Sequence, residues 1–332
     1  MSPLGTGSAP VIIVNPLGGA LQHYTTGLAA SIAAAGARVS VEHVPEPSVV
    51  GGGGIGWVRR YVRALWAARR LARRSGARVV VTWPVVGHLD RLLLHVLFGP
   101  RVRSALVVHD PRPLVRARGY GRLSRWIGNR GRLVEVLAHS RTAVDVLVEA
   151  CPGLVPVLLP HPIVPRGASA RSRTDAGRPV VRVLGQYKPD RDLDLLVGVG
   201  LRFRGTHSLE VVGRRWPPID GWAVTDEFVS EGRLDHLIAT ADVVIVPYTR
   251  FFQSGIAIRS LELGTPAVGP AESSMADLYP DARYLGGASV ASWCAAIDAA
   301  ASAEPDDVLA LAADADRRCR AAWAEWLGTA AA

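Results

Sequence analysis

Lysine is almost missing from this sequence: Lys188 stands alone among 38 Lys and Arg residues. A chain that uses arginine wherever either cation serves, yet keeps one lysine, marks a place where a compact ammonium is needed rather than a planar guanidinium. Cysteine is scarce too. Cys151, Cys294 and Cys319 are odd in number and share no CxxC or metal-like spacing. That excludes a disulfide framework and implies buried thiols in a reducing compartment. No apolar run approaches the ~18 residues of a spanning helix, and the best stretch, Leu92 to Phe98, is short and follows Arg91. Met1 to Ala9 has no apolar core of the kind a secretory leader carries. No low-complexity tail suggests disorder. No nucleic-acid motif is present, so no nucleic-acid partner is expected. No DxD-type pair is placed to hold a metal, so neither metal nor other cofactor is expected. The expectation is a cytoplasmic protein.

What is present is unevenly charged. Residues 1–170 hold 21 Arg against 7 acids, while residues 171–332 hold 17 Lys and Arg against 22 acids. Uniform basic drift would not polarise the two halves, so the first half implies an anionic partner such as a membrane surface or lipid phosphate. The chain is long enough for two cores. Short apolar runs, and one alternating strand pattern over Ala37–Val41, recur between helical patterns through both halves: Val11–Val14, Val79–Thr82, Ala105–Val108, Val134–Ala138 and Pro156–Leu159, then Val180–Leu184, Ser208–Val212, Val243–Val246 and Thr265–Val268. That rhythm predicts two parallel sheets flanked by helices. The expected division is a Rossmann-like domain over 1–165, a linker over 166–178 and a second Rossmann-like domain over 179–310. A last helix over 311–332 would pack back on the first domain.

Parallel sheets bind ligands outside the carboxyl ends of their strands, so the chemistry is expected in the loops that follow them. Gly18 and Gly19 lie between a strand and a helix N-terminus, where backbone can approach a phosphate; a plain tight turn is the alternative. Lys188 and Arg191 lie three apart in the loop Gly185 to Arg191, where both cations can converge on one diphosphate. Gly213 ends the next strand. Gln253, Ser254 and Gly255 open a helix whose first amides can meet phosphate or sugar oxygens, or simply be capped. His109 ends a buried strand, where its imidazole could reach a sugar hydroxyl or serve the structure alone.

Trp57 to Arg74 reads as an amphipathic helix. Arg59, Arg63, Arg70 and Arg74 fall within about 60° on one side, with Trp66 among them, and Val58, Tyr61, Leu65, Ala68 and Ala72 on the other. Arginine around an exposed tryptophan suits a lipid headgroup interface; a solvated helix face is the alternative.

Taken in order, these motifs resemble the family-four glycosyltransferases of the GT-B fold. The match runs from about Val11 to Tyr279 and includes Gly18-Gly19, His109-Asp110, Ala138-His139-Ser140 and His161-Pro162. It continues through Gly185-x-x-Lys188-Pro189-x-Arg191, Val211-Val212-Gly213, Ala241 to Tyr248, Gln253-Ser254-Gly255 and Gly264-Thr265-Pro266. The Gln-Ser-Gly marks a sub-group. The resemblance implies two Rossmann-like domains facing across a cleft and a retaining hexosyl transfer from a nucleoside diphosphate sugar to a hydroxyl acceptor. The product would belong to lipid-linked, cell-envelope or exopolysaccharide synthesis, made peripherally on the inner face of the cell membrane. It implies that Lys188 and Arg191 hold the donor diphosphate, with Gly18 and Gly19 near it, and that His109 meets the donor sugar. The family often has two glutamates eight apart; here those positions are Phe251 and Arg259, and Glu262, one turn later, is expected among the donor-binding residues with Gly185, Gly213, Gln253, Ser254 and Gly255. The alternatives are a catalytically impaired binding protein of the same fold and a basic membrane- or nucleic-acid-binding module.

Overall fold

The computed structural model describes residues 9–46, 53–113, 119–166, 177–249 and 252–328. The chain forms two compact units, one of Met1–Pro162 with Arg317–Ala332, the other of Ile163–Asp316. Most of the segment expected as a linker, 167–176, lies outside the described residues, as does Phe251.

In unit 1 the strands are β1 (Val11–Asn15), β2 (Val39–His43), β3 (Arg78–Val81), β4 (Ser104–Val107), β5 (Val134–Ala138) and β6 (Val157–Leu158). They form one sheet in the order β2-β1-β3-β4-β5-β6, every pair parallel. A sheet covered on both faces needs continuous apolar strands, and β1, β3 and β4 are buried throughout. The helices are α1 (Gln22–Ala34), α2 (Gly53–Ser75), α3 (Leu89–Phe98), α4 (Arg122–Gly128) and α5 (Arg141–Ala150). Alternation along the strands sorts the two faces. Val11, Ile13, Val80, Ala105, Val107 and Leu137 pack with Tyr24, Leu28 and Ile32 of α1 and with Cys319, Trp323 and Trp326 near the C-terminus. The guanidinium of Arg78 donates to the Trp326 carbonyl at 2.9 Å, and Trp326 Nε1 donates to Glu135 at 2.7 Å.

In unit 2 the strands are β7 (Val180–Leu184), β8 (Ser208–Val212), β9 (Ala223–Thr225), β10 (Val243–Ile245), β11 (Ala267–Pro270) and β12 (Leu285–Gly286). They form a second parallel sheet in the order β12-β11-β10-β7-β8-β9. Its helices are α6 (Leu193–Arg202), α7 (Glu231–Ala239), α8 (Gly255–Glu262), α9 (Met275–Leu278) and α10 (Val290–Ala301). Side-chain oxygens of Asp192, Ser230, Ser254 and Ser289 cap α6, α7, α8 and α10 by accepting an amide three residues on. The last helix, α11, runs Pro305–Gly328, and from Arg317 its residues belong to unit 1.

Two strand expectations shift. The strand read from Ala37 starts at Val39, because the Ala37 amide still closes the turn after α1 by bonding the Ile32 carbonyl. The strand read from Thr265 starts at Ala267, because the Thr265 hydroxyl is tied to the Ile238 carbonyl. Each sheet reverses its strand order once, between β1 and β3 and between β7 and β10. A parallel sheet opens a crevice at such a reversal, outside the strand ends.

Candidate functional site

At the reversal in unit 2 the loop after β7 meets the loop after β10. Arg191 pairs with Tyr248 in an isolated antiparallel bridge, and the Asp192 amide bonds the Pro247 carbonyl at 2.8 Å. Arg191 is buried, its guanidinium 3.5 Å over the Tyr248 ring and 3.0 Å from an Asp190 carboxylate oxygen. A buried guanidinium needs such compensation. Its Nε–H still has no hydrogen-bond partner. Burial holds the Tyr248 hydroxyl above its ordinary range, with Arg191 opposing. Three residues before Arg191, Lys188 is exposed and pairs with no described carboxylate. The arrangement is one anchored cation beside one exposed cation at the carboxyl end of a parallel sheet.

The glycines of this unit have geometric causes. Gly213 approaches Gly185 so closely that a Cβ on it would come within 2.0 Å of the Gly185 carbonyl oxygen. That oxygen also accepts from Trp216 Nε1 at 2.7 Å, so the ends of β7 and β8 are clamped together. Ser254 is buried and caps α8 through the Ala257 amide at 3.3 Å; Gln253 is half-buried before it. The α-carbon of Gly255, by contrast, borders open space.

Arg259 and Glu262, on α8, are engaged elsewhere. Arg259 is buried and ion-paired with Glu231 and Asp235, both on α7. These contacts hold Arg259 above its ordinary range despite burial, and Asp235 below its own. The Glu262 carboxylate, expected at the donor, is buried and accepts the Val164 amide at 2.9 Å, while the Glu262 carbonyl accepts that of Arg166 at 3.0 Å. It fixes the chain entering the unit.

In unit 1 the strand ends gather aromatic rings. His109 follows β4, His139 follows β5 and His161 lies just beyond β6, all buried. Tyr24 of α1 lies 4.5, 5.4 and 5.0 Å from the three ring centroids. Trp83 stacks on His109 at 5.5 Å. Each imidazole donates to a backbone carbonyl: His109 Nε2 to Thr82 at 3.0 Å, His139 Nδ1 to Leu159 at 2.7 Å and His161 Nδ1 to Pro162 at 2.7 Å. The tautomer this sets leaves His139 Nε2 to accept from the Tyr24 hydroxyl at 2.8 Å. Burial, then the neighbouring rings, pull His139 down to about 3 and His161 well below its ordinary value. His139 and His161 are therefore neutral rings, and with Tyr24, Trp83 and His109 they form a ring platform. Among the described residues no set of three His, Cys, Asp or Glu side chains is arranged for a metal. His109 was the one member singled out from sequence. His139 and His161 stood among the motifs of the resemblance without a role, and Tyr24 and Trp83 were missed, although Trp83 lies two residues beyond an apolar strand.

The glycine loop of unit 1 already contains an anion. Gly18 has φ +24° and its amide bonds the Val44 carbonyl; Gly19 is exposed beside it. The adjoining amide, Ala20, donates to a Glu46 carboxylate oxygen at 2.6 Å. A carboxylate thus takes the helix-start position where a phosphate was expected.

On α2 the buried residues are Tyr61, Ala64, Leu65, Ala68 and Ala72. Arg59, Arg63, Arg70 and Arg74 are exposed, and Trp66 is 47% exposed with Arg69 over its ring at 4.8 Å. No described helix is long and apolar enough to cross a membrane.

No protein-family model and no curated protein matches the chain by sequence. Solved structures do match. Sucrose-phosphate synthase from Thermosynechococcus elongatus superposes with a TM-score of 0.62 at 16% identity, covering 97% of this chain and 98% of that one. A UDP-forming trehalose-phosphate synthase from Burkholderia xenovorans gives 0.60 at 11%, covering 97% and 98%. WaaG, a glycosyltransferase involved in lipopolysaccharide biosynthesis, gives 0.55 at 15%, covering 93% and 95%. The chain has the GT-B fold. At these identities the likeness speaks for the fold, and the function is argued from the side chains.

Proposed function

We propose that the protein is a glycosyltransferase of the Gln-Ser-Gly sub-group that moves a hexosyl unit from a nucleoside diphosphate sugar to a hydroxyl acceptor with retention of configuration. The observation that carries this is Lys188, the single lysine, exposed without an ion-pair partner among the described residues beside Arg191 at the β7–β10 reversal. In glycosyl transfer the sugar becomes oxocarbenium-like while negative charge grows on the departing diphosphate. Lys188, the Arg191 Nε–H and the helix-start amides at Ser254–Gly255 are suited to stabilise that charge. His109 is assigned to the donor sugar by resemblance. A UDP-forming enzyme and a lipopolysaccharide-biosynthesis enzyme among the structural neighbours support a nucleotide-sugar donor and an envelope glycan product.

The acceptor is assigned to the membrane. The arginine face of α2 would dock unit 1 on the anionic inner leaflet, where each basic residue contributes on the order of 1 kcal/mol. Calorimetric titration with UDP and GDP tests the donor half: one of them should bind the wild type, and Lys188→Ala should bind it at least about tenfold more weakly. A second reading, an impaired member that binds without turnover, is favoured by Arg259 standing ion-paired where the family places a carboxylate. Binding without sugar transfer would select it.

A further inference from the structure

Unit 1 contains a second recess, which the donor chemistry does not use. Leu106, Val108 and Val136 point away from α1, and with Leu147, Leu154 and the buried Cys151 they line a narrow apolar slot of about 30 Å³ that opens to solvent. Pro84 and Pro111 border it, each two residues beyond the paired Thr82 and His109, so the slot adjoins the ring platform.

The slot is cationic at one end. His88 and Arg91 line it, and Arg125 lies beside it, its guanidinium 3.3 Å from the carbonyl of Ala150. Burial, then Arg125 and Arg91, lower His88 to about 4, so both guanidinium charges bear on one imidazole. Arg91 also donates to the Asn129 side chain at 3.0 Å. Neither arginine has a carboxylate partner among the described residues, and the Nε–H groups of both are buried without an acceptor. Buried donors of this kind are costly unless something accepts from them. The backbone is built to hold them close. A Cβ at Gly128 would strike the His88 carbonyl at 2.1 Å, and one at Gly131 the Arg91 carbonyl at 2.3 Å.

The surroundings favour an anionic amphiphile. Residues 53–133 contain 18 arginines and two acids, Asp90 and Asp110. On α4, Leu123 and Trp126 stand 68% and 59% exposed, with Arg130 at 3.5 Å over the indole. Exposed apolar side chains interleaved with arginine match a headgroup boundary.

We propose that this slot seats the first methylenes of the hydrocarbon chain of a phosphate-bearing lipid and that Arg91 and Arg125 take its phosphate. It rests on the membrane assignment above and names the acceptor's chemical class: a lipid phosphate with at least one chain that leaves the bilayer for the protein.

The test uses decyl phosphate below its micellar concentration, against inorganic phosphate and the nonionic decyl maltoside, by calorimetry on the full chain. Decyl phosphate should bind at least tenfold tighter than either. Arg91→Gln with Arg125→Gln should weaken it at least tenfold. Leu154→Trp, which fills the slot from its loop edge, should weaken decyl phosphate but not inorganic phosphate; Arg125→Gln alone replaces the double variant should that one fail to melt cooperatively. Equal affinity for decyl and inorganic phosphate, or for decyl phosphate and decyl maltoside, overturns the proposal. Vesicles of phosphatidylcholine with phosphatidylglycerol separate it from the docking assignment, because the Arg91/Arg125 variant keeps the α2 arginines. Retained vesicle binding without decyl phosphate binding sinks the slot alone. Decyl phosphate binding by a wild type that ignores vesicles upholds the slot and removes α2 docking.

Discussion

Lowering the pH from 6.5 to 4.5 should act on two groups of unit 1 with opposite signs. Burial holds His139 at about 3 in the fold, against 6.5 for an ordinary histidine. The unfolded chain therefore takes up the proton first, so this contribution to stability is complete well above 6.5 and falls as pH drops, by about 2.3 kcal/mol over the interval. His161 acts in the same direction. Asp90 acts in the other. Its burial raises it to about 7 from 3.8, against opposing bonds from the Val86 amide and the Tyr61 hydroxyl. Here the fold takes up the proton first. The stabilisation is complete below about 3.8 and lost as pH rises through about 7, so acidification from 6.5 to 4.5 adds about 2.5 kcal/mol. In the wild type Asp90 offsets His139, leaving the shares of His161 and of His88, which burial holds at about 4. Asp90→Asn removes the offset while keeping a hydrogen-bonding amide in place. Urea unfolding followed by tryptophan fluorescence should show Asp90→Asn losing at least about 2.3 kcal/mol between pH 6.5 and 4.5, and the wild type losing less by about 2.5 kcal/mol. Parallel profiles would refute the protonation of Asp90. A flat Asp90→Asn profile would refute the neutral His139 and His161 of the ring platform.

Arg191→Ala should weaken nucleoside diphosphate binding about tenfold and destabilise unit 2, because it leaves the buried Asp190 carboxylate unpaired; unchanged affinity in a folded variant removes Arg191 from the donor site. His109→Ala should lower kcat by about a hundredfold while nucleoside diphosphate affinity, read by calorimetry, stays within twofold; a loss confined to affinity contradicts a role at the sugar. Changing Arg59, Arg63, Arg70 and Arg74 together to Gln should release the protein from anionic vesicles in a flotation assay without lowering its Tm, since all four are exposed. A wild type that ignores such vesicles at low salt makes a soluble anionic acceptor the better account. Arg259→Met should cost about 1–2 kcal/mol, moderated by the exposure of Glu231; an unchanged Tm contradicts the ion-pair assignment.

Local pattern made much of the fold legible. Val134–Ala138, Val180–Leu184 and Ser208–Val212 are mainly apolar runs, each interrupted by one charged residue (Glu135, Arg182, Glu210), and each is a strand with the bounds read from the sequence. The two faces of α2 follow from 100° steps alone. The short edge strands β9 and β12 were not legible, because two or three partly exposed residues carry no period. At the sites, sequence located the loops but not the partners. Arg191 adjoins Asp190 in sequence, yet its place over Tyr248 depends on β7 and β10 lying side by side. Glu46 reaches the Ala20 amide from 26 residues away, and Glu262 turns to Val164 from 98. The ring platform draws on α1 and on the ends of β3 to β6, a juxtaposition that exists only once the sheet is assembled.

The central claim is that Lys188 and Arg191 hold the diphosphate of a sugar donor during transfer. The most direct measurement is release of nucleoside diphosphate from a panel of uridine and guanosine diphosphate sugars, by wild type and Lys188→Ala, with anionic vesicles carrying a lipid phosphate acceptor. The account predicts release from one donor, stoichiometric with glycosylated lipid, and at least about a tenfold loss of kcat/KM in Lys188→Ala. Release that is indifferent to Lys188, or diphosphate binding with no transfer from any donor, would contradict it.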